Sequence, residues 1–245
     1  MFPYRDENET RRTAVVTIGI IALCVLAWLI FEGAGSFYRV NAATCDYGLI
    51  PGKLTTTLPA GASFSVGQGL VCVIDPGPAY IDILTSMFLH GSWMHLLGNM
   101  WFLWVFGNNI EDSMTRPRFV LFYLLCGFVA AMFQVAVDPR SPVPMVGASG
   151  AISGVMGAYV LLYPRVRVWT WFAVLILPVP AWAMLLWWFA AQLVGGLTQE
   201  GTTGGTAFFA HVGGFLAGLA LAKLFVVPEH INLRRNNLYL RARMG

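Results

Sequence analysis

The chain has 245 residues, of which 57% are hydrophobic and only 11% charged, with a formal net charge of +3. A water-soluble domain carries about 25% charged and about 45–50% apolar residues, so the composition excludes that class. There are too few charges to cover a soluble surface.

Six apolar runs separated by short polar or Gly/Pro-rich breaks follow one another, at residues 13–31, 93–110, 119–137, 148–163, 168–194 and 207–227. A run of about 20 such residues crosses a bilayer core as an α-helix. None of the six holds Asp, Glu or Arg, and only Lys223, close to the end of the last, adds a basic group that can snorkel to the headgroups. Strands of a membrane barrel would alternate in polarity, whereas these runs are apolar on every face. The expected fold is an all-α membrane protein, a bundle of six transmembrane helices. The first run is too long, and too poor in a small-residue cleavage site, to read as a removable signal peptide.

Basic residues near span ends stay on the cytoplasmic side. With the N-terminus inside, 12 of the 15 Lys and Arg fall on inner segments, and Arg39, Lys53 and Arg140 alone fall outside. Both termini are therefore expected in the cytoplasm, and runs two, four and six begin at the outer face. The division is a segment 1–12, one membrane domain 13–227 without visible repeats, and a basic tail 228–245. That tail reads as a topology anchor against anionic lipid, with no nucleic-acid partner.

The connection 32–92 is the one long loop, and loops of that length are usually functional or carry structure of their own. Its Gly/Pro/Thr-rich first part gives way to the apolar stretches 70–74 and 79–89, the latter suited to dipping into the interface. Cys45 and Cys72 lie in it, and Cys24 and Cys126 lie in spans. Outside the cytoplasm the loop pair can oxidise, and both a disulfide and two free thiols stay open.

Polar groups in a membrane are costly unless satisfied, so those present are informative. His95 and Asn99, four apart, share one helix face. His90 precedes that helix and makes no two-histidine metal face with His95. Ser149 opens the fourth run among small residues, and His211 lies within about two turns of the outer end of the sixth. Alone, the serine reads as a cap and the histidine as a packing residue. Together, four polar groups from three helices meet at one depth, where ionisable residues are functional by default. A strip of Ser149, Ser153 and Gly157, flanked by Gly150 and Gly154, matches Ala210, Gly214 and Gly218, and such faces let helices approach closely.

A serine hydroxyl needs an adjacent base to act as a nucleophile, and His211 can be that base. No carboxylate lies in any run to orient the histidine, so a Ser149–His211 dyad is expected rather than a triad. Oxyanion donors would be the Ser149 N–H, Asn99, His95 and the positive end of the fourth helix. There is no His-Glu-x-x-His motif and no pair of intramembrane aspartates.

Gly147-Ala148-Ser149-Gly150, Ala210-His211-x-x-Gly214-x-x-x-Gly218 and Phe88-Leu89-His90-Gly91-Ser92-Trp93-Met94-His95-Leu96-Leu97-Gly98-Asn99 resemble the rhomboid intramembrane serine proteases. The resemblance runs from about residue 86 to 227 in the family's six-helix order, and weakly reaches Arg5-Asp6-Glu7-Asn8. It implies Ser149 as nucleophile, His211 as base, His95 and Asn99 as oxyanion donors, and no cofactor or metal. It also implies a water-filled cavity, single-span membrane proteins as substrates cleaved near the outer face, and a bacterial inner-membrane location. Its gate is the fifth helix, where Pro178 and Pro180 interrupt the span and read either as a kink or break that serves the gate or as two prolines accommodated statically. Two positions depart from the pattern. Ser153 stands where a Tyr often stacks on the histidine, leaving Phe208 or Phe215 as candidate supports, and Thr206 stands where a Gly is common. Gln134 can hold water for deacylation or cap interfacial polar groups. The alternatives are a catalytically silent rhomboid-like protein that binds membrane helices, whose kind usually lacks the serine or histidine, and a small transporter. No inverted repeat and no intramembrane acid favours the transporter.

Overall fold

The computed structural model describes residues 1–77, 80–172, 174–198 and 206–231. In chain order the elements are β1 (Phe2–Asp6), α1 (Val15–Ile30), α2 (Phe37–Tyr47), α3 (Pro51–Leu54), β2 (Ser63–Gly67), β3 (Leu70–Val73), α4 (Asp82–Thr85), α5 (Trp93–Ser113), α6 (Arg116–Val137), α7 (Ser149–Leu162), β4 (Arg167–Phe172), β5 (Leu175–Pro180), α8 (Ala181–Thr198) and α9 (Phe208–Phe225). Of the basic tail expected from residue 228, everything after 231 lies outside the described residues.

α6, α8 and α9 are long and apolar enough to cross a membrane, and α1 and α7 are shorter apolar helices of 16 and 14 residues. Large apolar side chains such as Leu23, Leu26, Leu121, Phe128, Trp182 and Trp187 are exposed on the outside of the bundle. In water such a surface would be unfavourable; against lipid it is matched.

α7 stands at the centre, buried without interruption from Ala151 to Tyr159 and packed among α5, α6, α8 and α9. Its small residues are the reason it can sit there. A Cβ on Gly218 of α9 would meet the Gly154 carbonyl, one on Gly214 the Gly150 carbonyl, and one on Gly157 the Phe215 carbonyl. The two helices therefore touch backbone to backbone through Gly150, Gly154 and Gly157.

α5 runs three residues beyond the expected span, through Glu111, Asp112 and Ser113, all buried. Glu111 accepts hydrogen bonds from the Val16 and Thr17 backbone N–H groups at 3.0 and 2.8 Å and from the Thr17 hydroxyl at 2.9 Å. Ala14 offers α1 no side-chain cap, so a carboxylate from α5 satisfies the orphan donors of its first turn.

The fifth apolar run departs from expectation. Its first half is not helix but the hairpin β4–β5, which joins β1 in a three-stranded sheet of order β1-β4-β5, all antiparallel. Val168 and Thr170 are buried while Arg167, Trp171 and Phe172 are exposed, a two-residue period that no helix would show. Pro178 and Pro180 lie in the edge strand β5, opposite Trp169 and Arg167. An edge strand tolerates prolines because it need not donate on both sides, so these two residues lie in a strand and do not kink a helix. The Arg5 guanidinium covers the Trp169 ring at 5.7 Å, and Asp6 accepts from Asn109 at 2.7 Å and from the Tyr159 hydroxyl.

The loop 32–92 is structured throughout its described part. Cys45 of α2 is bonded to Cys72 of β3 with Cα atoms 5.7 Å apart, which resolves the open choice in favour of the disulfide. Leu49 exchanges two backbone hydrogen bonds with Met145, and Gly147 N–H donates to Ser86 at 2.8 Å. The loop is thereby fastened to the segment that leads into α7.

Candidate active site

Ser149 is the first residue of α7, and its hydroxyl does not cap the helix. Oγ lies 2.7 Å from Nε2 of His211, which is buried on the first turn of α9. The backbone contacts at Gly150/Gly214 and Gly154/Gly218 set the two helices close enough for that bond. The geometry brings together the serine and histidine paired on sequence grounds. Ser153, where an aromatic was absent, donates to the Ser149 carbonyl at 2.6 Å.

His95 occupies the first turn of α5, whose N-cap Ser92 accepts the His95 backbone N–H at 3.1 Å. Its ring Nδ1 accepts the Gly91 N–H at 3.3 Å. With Nδ1 accepting, the neutral ring carries its proton on Nε2. That Nε2 faces Gly147: a Cβ there would lie 2.8 Å from His95 Nε2 and 3.5 Å from Ser149 Oγ. Gly147 has φ +128°, a conformation glycine adopts without strain. The residue thus keeps open a space between a hydroxyl and an N–H donor.

Asn99, buried one turn further along α5, donates one amide hydrogen to the His95 carbonyl at 2.8 Å. An amide nitrogen has a second hydrogen to give. Gln134 Oε1 accepts the Ala210 N–H at 3.2 Å, so the capping role is the one seen. Pro178 and Pro180 belong to the sheet and are not part of this cluster.

Two contacts were missed from sequence. Gln192 of α8 places its Oε1 2.6 Å from His211 Nδ1. The ring beside His211 is Trp188, with centroids 5.8 Å apart and planes inclined by 35°. The expected supports were Phe208 or Phe215, but Phe215 instead packs on Trp188 and Phe189. The four-residue spacing of Trp188 and Gln192 on one helix face was the available signal.

A cavity of about 40 Å³ opens beside Ser149, lined among others by Ala130, Gly150, Ala151 and Ala210. Behind His95, the ring of fully buried His90 stands 5.2 Å away, edge to face. The His90 backbone N–H donates to Glu32 Oε1 at 2.5 Å, while both His90 ring nitrogens and Glu32 Oε2 have no partner among the described residues. Burial pushes Glu32 up to about 7 and His90 down to about 3.

Compared with known proteins, the chain matches the family model of the rhomboid domain over residues 78–228. It is 34% identical over 154 residues to the chloroplastic rhomboid-like protein 11 of Arabidopsis thaliana, covering 60% of this chain and 53% of that protein. It is 28% identical to the mitochondrial rhomboid protein 1 of Saccharomyces cerevisiae, covering 57% and 40%. The mitochondrial presenilin-associated rhomboid-like protein of Mus musculus is 33% identical, covering 56% and 36%. The matches span about half or less of these relatives' own lengths. All three are organelle proteins by name, so they lend no support to a bacterial inner membrane.

Proposed function

Because the chain belongs to the rhomboid family and carries helices apolar enough to cross a bilayer, we propose that it is an intramembrane serine endopeptidase acting through Ser149 and His211. The observation that carries this reading is the 2.7 Å contact between Ser149 Oγ and His211 Nε2 at the start of the central helix. His211 takes the hydroxyl proton as Ser149 attacks the scissile carbonyl, then returns it to the leaving amine. The oxyanion forms in the space over Gly147, where His95 Nε2–H, the Asn99 amide, the Ser149 N–H and the positive end of α7 stabilise it. Water admitted to the cavity then hydrolyses the acyl-enzyme, and a cavity of about 40 Å³ suits a small substrate side chain at the cleaved bond.

In this reading α1, α5, α6, α7, α8 and α9 cross the membrane, with both termini on one side and the 32–92 loop on the other. The Cys45–Cys72 disulfide supports placing that loop in an oxidising compartment. The N-terminal strand and the β4–β5 hairpin share a sheet, as segments on one side must. Substrates are single membrane-spanning helices of other proteins, entering from the lipid past α8, of which only Ala181, Met184 and Leu185 are buried.

The test is cleavage of a single-span substrate by the purified protein in liposomes, beside Ser149→Ala and His211→Ala. Both variants should lose at least about 10³-fold in rate. Equal products from wild type and both variants would reject the reading, as would fluorophosphonate labelling at a residue other than Ser149.

A further inference from the structure

Gln192 and Trp188 lie one turn apart on α8, and both touch His211, which belongs to α9. The imidazole is thus held at its Nδ1 edge by an amide and beside its face by an indole. An amide oxygen has no hydrogen to give, so at 2.6 Å from Gln192 Oε1 the His211 Nδ1 must be the donor. A neutral imidazole with its proton on Nδ1 has its lone pair on Nε2. That is the atom facing the Ser149 hydroxyl.

We infer that Gln192 is the positioning residue of His211, a neutral third member that fixes the tautomer and ring orientation needed to accept the Ser149 proton. The inference rests on the reading of Ser149 and His211 as nucleophile and base. A carboxylate in the same place would stabilise the imidazolium more strongly, but would bury a charge among apolar helices. The amide orients the ring without that desolvation cost. Since α8 has only three buried residues, the base is orientated by the most loosely seated of the helices around α7. Displacing α8 withdraws Gln192 and Trp188 together, so the same contact that readies His211 makes its readiness depend on the position of α8.

The experiment uses the full chain in liposomes with a single-span substrate, and Gln192→Leu, Gln192→Asn and Gln192→Glu. Gln192→Leu should lower kcat about 10- to 10³-fold with KM within about twofold, because only the proton-transfer geometry is lost. Labelling of Ser149 by a fluorophosphonate should slow in parallel. Gln192→Asn, whose shorter amide stops short of Nδ1, should fall with Gln192→Leu. Gln192→Glu should restore part of the rate and move the acidic limb of the kcat profile to higher pH, since a neighbouring carboxylate favours the charged imidazole. A merely structural role for Gln192 would not move that limb. Wild-type kcat in Gln192→Leu, or an unmoved limb in Gln192→Glu, would overturn the inference while leaving the protease reading intact, provided Ser149→Ala is inert. Wild type inert toward both substrate and probe would overturn the protease reading and this inference with it.

Discussion

Gly147 and His95 face each other so closely that the absent side chain of one defines the space in front of the other. A Cβ on Gly147 would stand 2.8 Å from His95 Nε2, inside contact distance, and 3.5 Å from Ser149 Oγ. Gly147→Ala should therefore fill the oxyanion space and also strain a backbone at φ +128°, at a cost of about 1–3 kcal/mol. Turnover is expected to fall at least about 10²-fold, as for loss of an oxyanion donor. Retained turnover with an unchanged melting temperature would show that the space is not used.

The α7–α9 contact makes a second expectation. A methyl on Gly218 meets the Gly154 carbonyl, so Gly218→Ala must push the helices apart and cost about 1–3 kcal/mol. Because Ser149 and His211 sit on those two helices, cleavage should fall as well. On α1, a Cβ added to Gly19 would meet nothing within 4 Å, and Gly19→Ala should be neutral or stabilising by up to about 1 kcal/mol. Equal melting temperatures for the two variants would contradict the packing account.

How far these features could be read from sequence depends on whether a residue's role is written in its neighbours. Ser149 and His211 stood out because each is a polar residue within a strip of small ones, and the strips pair. Helices α1, α6, α7 and α9 were legible because their apolar runs end at polar breaks within a few residues of the helix ends. The hairpin was not, because 168–180 is as apolar as a span. Only the alternation through Val168 and Thr170, and two prolines where a helix could not continue, marked it as strand. Gln192 was hard to read for a different reason: its spacing from Trp188 marks a shared helix face, but the partner of that face, His211, lies on a separate helix. Glu111 and Asp112 fell just beyond the apolar run and were counted out of it, although Glu111 ties α5 to α1.

That tie gives a third expectation. Glu111→Ala removes an acceptor from three donors near the start of α1. Leaving such donors unsatisfied should cost about 1–3 kcal/mol. Thermal unfolding in detergent, and faster amide exchange confined to residues 15–18, would register it; no change in either would mean water replaces the carboxylate.

Glu32 provides a pH dependence. Its carboxyl, two residues past the end of α1, is raised by burial from its ordinary 4.5 to about 7. A group with a raised folded pKa contributes its full stability below the unfolded value and loses it as pH rises through the folded one. Relative to Glu32→Gln, the wild type should lose about 1.4 kcal/mol per pH unit between about 4.5 and 7. A wild-type minus variant difference that is flat over that window would contradict the assignment. His90, lowered to about 3, acts in the opposite direction below its ordinary 6.5, and the comparison with Glu32→Gln isolates the carboxyl.

The sheet that replaces half of the fifth apolar run sets an order of events during synthesis. Glu7 accepts from Trp169 across 162 positions of chain, and among the described residues β1 has no other strand beside it than β4. At about 5–20 residues per second, the first strand waits roughly 8–30 s before its neighbour leaves the ribosome. Until then the segment ahead of α1 can rest on α5, where Trp101 donates to the Pro3 carbonyl at 2.6 Å and Asn109 to Asp6 at 2.7 Å, but it has no strand to pair with among the described residues. The amino-terminal strand enters its sheet only once β4 is made and before α9 can reach α7, and a chain halted before β4 would carry all of its described helices but α8 and α9 with that first strand still unpaired.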